Sequence, residues 1–164
     1  MDHLLNSSKI YLAGPIRTLD DGTLHTYDIS WRDEVKSLFE QYNIECLDPT
    51  EISRQLGKIV FSRDICTKLH SNDISLLNKA DILLVNLLPH TIDNYNCYGT
   101  LVEIGYCQAL NIPVYIVAEK QLIERLICNP MFSSCKFFTC LSDAVHQIML
   151  SFYNNESNDY FVFF

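Results

Sequence analysis

The chain has 164 residues, 48% of them hydrophobic and 20% charged, which suits a single soluble domain with a real core and excludes a disordered chain. Its formal net charge of −8 disfavours polymeric nucleic acid and membrane surfaces as partners, since both are polyanionic. A small anion held by a few local groups stays compatible with that charge.

Short β-rich runs alternate with helical patterns, the signature of a parallel α/β sheet. The first predicted strand is 9–13 (KIYLA), ended by Gly14-Pro15, and a loop rich in Asp, Gly and Thr follows to about Ile29. Ser30 reads as an N-cap, with Asp33 three residues on, of a helix over 31–42 that places Trp31, Val35, Leu38 and Phe39 on one face. A short strand over 44–47 stops at Asp48-Pro49-Thr50, and 51–62 is open between a helical turn and a loop. A helix is predicted over 63–79, with Ser71-Asn72 as its candidate break. The run 82–88 (ILLVNLL) is nearly continuously apolar, as a central parallel strand should be. A polar and aromatic loop (89–98), a helix (99–110), a strand (113–117), a helix (120–126), a strand (136–139) and an amphipathic helix (141–153) complete the pattern. The expectation is one domain over 1–153, a doubly wound five-stranded parallel sheet of the flavodoxin or Rossmann kind. An aromatic tail over 154–164 follows, placed at an active site or an interface.

The seven cysteines are odd in number and form no CxxC pair, and no histidine stands at a zinc-finger spacing from them. The N-terminus lacks a basic region followed by an apolar run of signal length, and no stretch approaches a membrane span. The expectation is a reducing, cytoplasmic compartment, buried or inert thiols, and no metal or organic cofactor. Asp81 reads as structural and Trp31 as a core or interface anchor.

In such sheets ligands bind beyond the carboxyl ends of the strands. Three places there carry chemistry. Gly99 and Thr100 open a helix whose first turn or the residue after it holds Glu103, where the positive helix terminus favours an ionised carboxylate able to act as nucleophile. Asp73 stands eight residues before Asp81, at the cleft end of the helix that feeds the central strand. One carboxylate attacking an anomeric carbon and another handling a proton is the division of labour that retaining glycosyl transfer needs. Third, Tyr11 offers a phenol, Gly14 a close backbone approach, and Arg17 a fork for a phosphate or carboxylate. The loop lacks Walker A or GxGxxG spacing.

The combination KIYLAGPI, Trp31-Arg32, an Asp eight residues before Ala-Asp and a hydrophobic strand, and GTxxEIGYxxA resembles the nucleoside 2-deoxyribosyltransferase family over about residues 9–117. A weaker echo lies at Asn129-Pro130-Met131. The resemblance implies that Glu103 forms a covalent glycosyl intermediate, that Asp73 handles the proton of the base, and that Tyr11 sits by both. It also implies substrate contacts at Gly14, Pro15, Ile16, Arg17, Asn96, Cys97, Gly99, Thr100 and Asn129. A nucleoside or nucleotide and a free base are the implied small-molecule partners, and a homo-oligomer, dimer or higher, completes the site. Cys97 stands where the transferases usually carry an aspartate that holds a sugar hydroxyl, although Asp93 or Asn96 could replace it. The related deoxynucleoside monophosphate N-hydrolases carry serine there and an Ile-Arg pair after the first strand, and this chain has Ile16-Arg17. Transfer between nucleosides is the first expectation, nucleotide hydrolysis the second, and a non-catalytic nucleotide-binding protein the third.

Overall fold

The computed structural model describes residues 8–88 and 97–158. In chain order its elements are β1 (Lys9–Ala13), α1 (Thr26–Glu40), β2 (Glu45–Leu47), α2 (Thr50–Leu56), α3 (Arg63–Leu77), β3 (Ile82–Asn86), α4 (Tyr98–Ala109), β4 (Val114–Val117), α5 (Lys120–Ile127), β5 (Lys136–Phe138) and α6 (Leu141–Asn158). The strands form one parallel sheet in the order β2-β1-β3-β4-β5. That is the doubly wound α/β arrangement expected from the alternating pattern, in its flavodoxin-like order.

Side chains alternate across a strand, and here the alternation builds two cores. Tyr11, Ala13, Leu83, Val85, Val114 and Ile116 point to the face covered by Leu77 of α3, Ile104 and Cys107 of α4, and Ile123 of α5. Ile10, Leu12, Ile82, Leu84, Tyr115 and Val117 point to the other, against Trp31, Val35 and Phe39 of α1 and Ala144, Val145 and Ile148 of α6. Every residue of β3 is buried because helices cover it on both sides. Each fully buried aliphatic side chain contributes roughly 1.5–3 kcal/mol relative to exposure.

The chain leaves β1 towards β2 on one side and β3 towards β4 on the other, so the direction of winding reverses between β1 and β3. Their carboxyl ends meet closely. A Cβ built on Gly14, just after β1, would lie 2.6 Å from the backbone oxygen of Asn86, the last residue of β3. Only glycine fits there, and the crevice of the sheet opens at that point.

Several local boundaries differ from expectation. Helix α1 starts at Thr26, so Ser30 lies inside it and is no N-cap; His25 takes the cap position without a side-chain hydrogen bond. The first turn is held instead by Asp28, which accepts from the Arg17 backbone N–H (3.0 Å), Nε (2.8 Å) and a terminal nitrogen (2.7 Å). Leu38 is 44% exposed, outside the buried face. Residues 50–56 form a true helix, with Asp48 accepting from the Thr50 backbone N–H and hydroxyl at 2.9 and 2.7 Å. Helix α3 is capped by Ser62 and passes Ser71-Asn72 without a break, because two weak helix formers cost only tenths of a kcal/mol against the packing of Ile74 and Leu77. Helix α6 runs on to Asn158, beyond the expected end at 153. The aromatic end of the tail, 159–164, and the loop 89–96, with Asp93 and Asn96, lie outside the described residues.

Candidate active site

Glu103 reaches the crevice from the second turn of α4, and Tyr11 reaches it from the middle of β1 on the same face of the sheet. The Tyr11 hydroxyl donates to Glu103 Oε1 at 2.7 Å. Tyr11 is fully buried, and its hydroxyl is held neutral, its pKa raised by burial and then by the charges of Glu103 and Asp73. It is therefore a fixed donor that occupies one carboxylate oxygen and leaves the other for chemistry.

Asp73 comes from α3, four residues before the end of that helix. Expectation placed it at the cleft end of the helix, but α3 runs unbroken from Arg63 to Leu77, so Asp73 lies within its last turns. It still meets Glu103. Two cavities, of about 310 and about 270 Å³, share Asp73, Tyr98, Gly99 and Glu103 in their walls. The first lies between α3 and α4, with His70, Ile74, Leu77, Val102 and Tyr106. The second runs under the turn after β1, with Gly14, Pro15, Ile16, Cys97 and Thr100. The structure thus brings Gly14, Pro15, Ile16, Cys97, Gly99 and Thr100 together around the two carboxylates.

The electrostatics correct one expectation. Glu103 is the sixth residue of α4, past the turn where the helix terminus acts, and its carboxyl is not held low. Burial pushes it up to about 7; the Asp73 charge adds to this, while the Tyr11 hydrogen bond and the Arg32 charge oppose it. Burial also pushes Asp73 up to about 6, against the Asn72 hydrogen bond and the His70 charge. Both carboxyls hold protons into the neutral range, and they titrate as a pair. With the lower pKa on Asp73, the singly protonated pair carries its proton mainly on Glu103; the form with Glu103 ionised and Asp73 protonated, which nucleophilic and acid work on one bond requires, is the minor of the two.

A family model described as nucleoside 2-deoxyribosyltransferase matches residues 10–131, about three quarters of the chain. The chain belongs to the nucleoside 2-deoxyribosyltransferase family. No curated protein matches it. Its fold is similar to that of a 2-deoxyribosyltransferase from the psychrotolerant bacterium Bacillus psychrosaccharolyticus, described as a biocatalyst for the synthesis of antiviral and antitumoral nucleosides. The two are 22% identical, with a TM-score of 0.59 over 84% of this chain and 90% of that one. A conserved protein from Enterococcus faecalis V583 is similar at 18% identity and a TM-score of 0.54, over 88% and 99% of the two chains.

Within this transferase-family site, two expected contacts sit elsewhere. Arg17 lines neither cavity; its fork is turned onto the fully buried carboxylate of Asp28. Asn129 is exposed and caps the short 3-10 turn at Pro130–Phe132, accepting from the Met131 backbone N–H at 3.0 Å. Asn96 lies outside the described residues. Asp81 binds the first strand, accepting from the Lys9 backbone N–H at 2.8 Å. All seven cysteines carry free thiols, and among the described residues no cluster of His, Cys, Asp and Glu could hold a metal. Among them, too, no helix is long and apolar enough to cross a membrane.

The sequence pattern missed six wall residues, His70, Ile74, Leu77, Tyr98, Val102 and Tyr106, and the burial of Arg32 behind the site. Arg32 was legible as a candidate: Asp28 and Arg32 are four apart on α1, one turn along the same face as Val35 and Phe39. Starting the helix at Trp31 hid that relation.

Proposed function

We propose that the protein transfers a deoxyribosyl group between bases of uncharged nucleosides through a covalent ester at Glu103. The observation that carries this reading is the pairing of the Tyr11-bonded Glu103 with Asp73 in the walls of both cavities. From the minor singly protonated form of the pair, the ionised oxygen of Glu103 attacks the anomeric carbon as the carbon–nitrogen bond breaks, and Asp73 gives its proton to the departing base. The nitrogen of a second base then attacks the same carbon, the ester bond returns its electrons to Glu103, and Asp73 takes the proton released. The apolar walls from Ile74, Leu77 and Val102 favour a base over water as acceptor.

Charge favours a nucleoside over its 5′-monophosphate. Among the described residues that line the cavities, His70 alone can carry positive charge, beside two carboxyls. The expected clamp for a phosphate, Arg17, is engaged by Asp28. A homo-oligomer belongs to the same reading: Tyr98 and Val102, 70% and 65% exposed at the cavity rim, offer apolar surface for a second copy to cover.

The test is chromatography of the purified protein incubated with deoxynucleosides or with deoxynucleoside monophosphates, each with and without a second free base. A new deoxynucleoside formed only when a base is added is the expected result. Free base released from monophosphates without an acceptor makes the protein a nucleotide hydrolase instead. Ligand returned unchanged from every mixture leaves a binding protein.

A further inference from the structure

Among the described residues Arg32 is the largest side chain with no exposure to solvent, and its partners do not match its charge. One terminal nitrogen donates to the Asp28 backbone oxygen at 2.6 Å and the other to the Gly14 backbone oxygen at 3.2 Å. Both acceptors are neutral carbonyls. The Asp28 carboxylate, four residues away, is turned to Arg17. The other carboxylate within reach is Asp48, whose Oδ1 is 3.6 Å from Nε, too far for a hydrogen bond, and Nε has no other partner. Asp48 is itself shared with Lys36 at 2.7 Å, with Thr50, and with Arg54 at 3.9 Å. The guanidinium packs over the Trp31 ring, 4.6 Å from its centroid.

A buried cation held mainly by carbonyls and an aromatic face keeps much of its field, and that field is strong where water is absent. It does not spend it on Asp48 alone. Gly14, which Arg32 grips, walls the same cavity as Glu103 and Asp73.

We infer that Arg32 is a positioning residue of this site: from behind the cavity wall it fixes the turn after β1 through the Gly14 carbonyl, and it supplies the buried positive charge that balances Glu103. The inference rests on the nucleophile role given to Glu103 above. Glu103 is faced by Tyr11 from β1, Asp73 from α3, Arg32 from α1, and Cys107 one turn further along its own helix. Among these described groups Arg32 is the one cation. Arg32 in turn is faced by Asp48, Glu103, Tyr11 and, with like charge, Arg54. Burial and the Asp73 charge oppose ionisation of Glu103; the Tyr11 hydrogen bond and, after it, the Arg32 charge favour it.

The experiment follows the Glu103 carboxyl carbon by NMR through a pH titration in the full-length protein, with Arg32→Met and Arg32→Lys beside the parent. Native near-UV circular dichroism is the condition for reading each variant. In Arg32→Met the Glu103 midpoint should rise, since removing an opposite charge favours the protonated carboxyl. A loosened fold would move it the other way, towards the solvated value. Arg32→Lys keeps the charge and loses the fork, so its midpoint should stay near the parent's while KM for nucleoside rises and part of kcat returns relative to Arg32→Met. An unmoved or lowered midpoint in Arg32→Met overturns the inference, as does a lysine variant that titrates like the methionine one. If Arg32→Met does not reach the native state, Asp48→Asn gives the same test with opposite sign: the unscreened Arg32 should lower the Glu103 midpoint, and no shift overturns the inference. The titration needs no turnover. A parent protein with no transferase or hydrolase activity therefore defeats the proposed reaction without deciding the role of Arg32.

Discussion

The Tyr11 hydroxyl and Glu103 Oε1 lie 2.7 Å apart across 92 positions of sequence, so one hydrogen bond ties the first strand to the helix after the central strand. It joins the two elements whose ends form the crevice, and it orients the carboxylate there. In Tyr11→Phe the ring still fills its buried place, so the melting temperature should change little. The lost bond is one to a charged acceptor, about 1.5–3 kcal/mol, so kcat/KM should fall roughly 10- to 100-fold. That bond also lowers the Glu103 pKa, the higher of the pair, so the alkaline limb of the pH–rate profile should move up. Steady-state kinetics between pH 5 and 9 checks both, and full activity in Tyr11→Phe would remove Tyr11 from the mechanism.

Glu103 makes the fold less stable as pH rises. Its folded pKa, about 7, lies above the ordinary glutamate value of 4.5, so the folded state binds its proton more tightly than the unfolded chain does. The stability this gives is complete below about pH 4.5 and is lost as pH rises through about 7. Glu103→Gln carries no charge and can still accept from Tyr11. Relative to the parent it should be more stable at pH 8, by about 3 kcal/mol at most, and nearly equal at pH 4.5. It should also lose turnover by orders of magnitude. Thermal melts at the two pH values decide the first point. Equal melting of both proteins at pH 8 would show that Glu103 is not held in a desolvated place.

What the sequence made legible was local. The run ILLVN of β3 and the alternation in β1 marked strands because both faces of each pack against helices. Glu103 and Asp73 could be placed near one crevice because each belongs to an element flanking β3. What stayed hidden depended on partners far along the chain. Helix α1 begins at Thr26 because Arg17, from the preceding loop, grips Asp28, and a side-chain cap is not needed. At 100° per residue its buried face is centred near Val35 and Phe39 and includes Asp28 and Arg32, while Leu38 falls at the edge. The raised carboxyl of Glu103 was equally hidden, because its cause is tertiary burial and not the position of the residue in its helix.

Asp73 and Glu103 should give a narrow bell-shaped pH dependence of kcat/KM. Below about pH 6 both carboxyls are protonated and the nucleophile is lost; above about 7 both are ionised and no proton is available for the base. Asp73→Asn removes the proton donor and one negative charge beside Glu103. Its alkaline limb should vanish, and the one remaining limb, with activity rising with pH, should follow Glu103 alone at a midpoint below about 7, because the Asp73 charge that helps to raise the Glu103 pKa is gone. The slowing should be greatest for nucleosides whose base leaves poorly. A variant that keeps both limbs in place would assign the alkaline limb to another group, and Asp73 would lose its role as the acid.

Gly14→Ala tests whether the meeting of β1 and β3 sets the shape of the site. The added Cβ would lie 2.6 Å from the Asn86 backbone oxygen, a distance no carbon tolerates, and 3.6 Å from the Arg32 guanidinium. Neither Asn86 nor β1 can yield easily, since both are hydrogen-bonded into the central sheet. The turn must therefore shift outwards, into the cavity that Gly14, Pro15 and Ile16 wall. The expected result is a loss of about 1–3 kcal/mol in stability, seen in urea melts, together with a KM for nucleoside that rises more than kcat falls. Glu103, elsewhere in the wall of that cavity, keeps its hydrogen bond from the buried Tyr11, so the chemical step is hit less than binding is. Wild-type KM in a destabilised Gly14→Ala protein would mean that substrate does not enter under the turn after β1, and would leave the cavity between α3 and α4 as the way in.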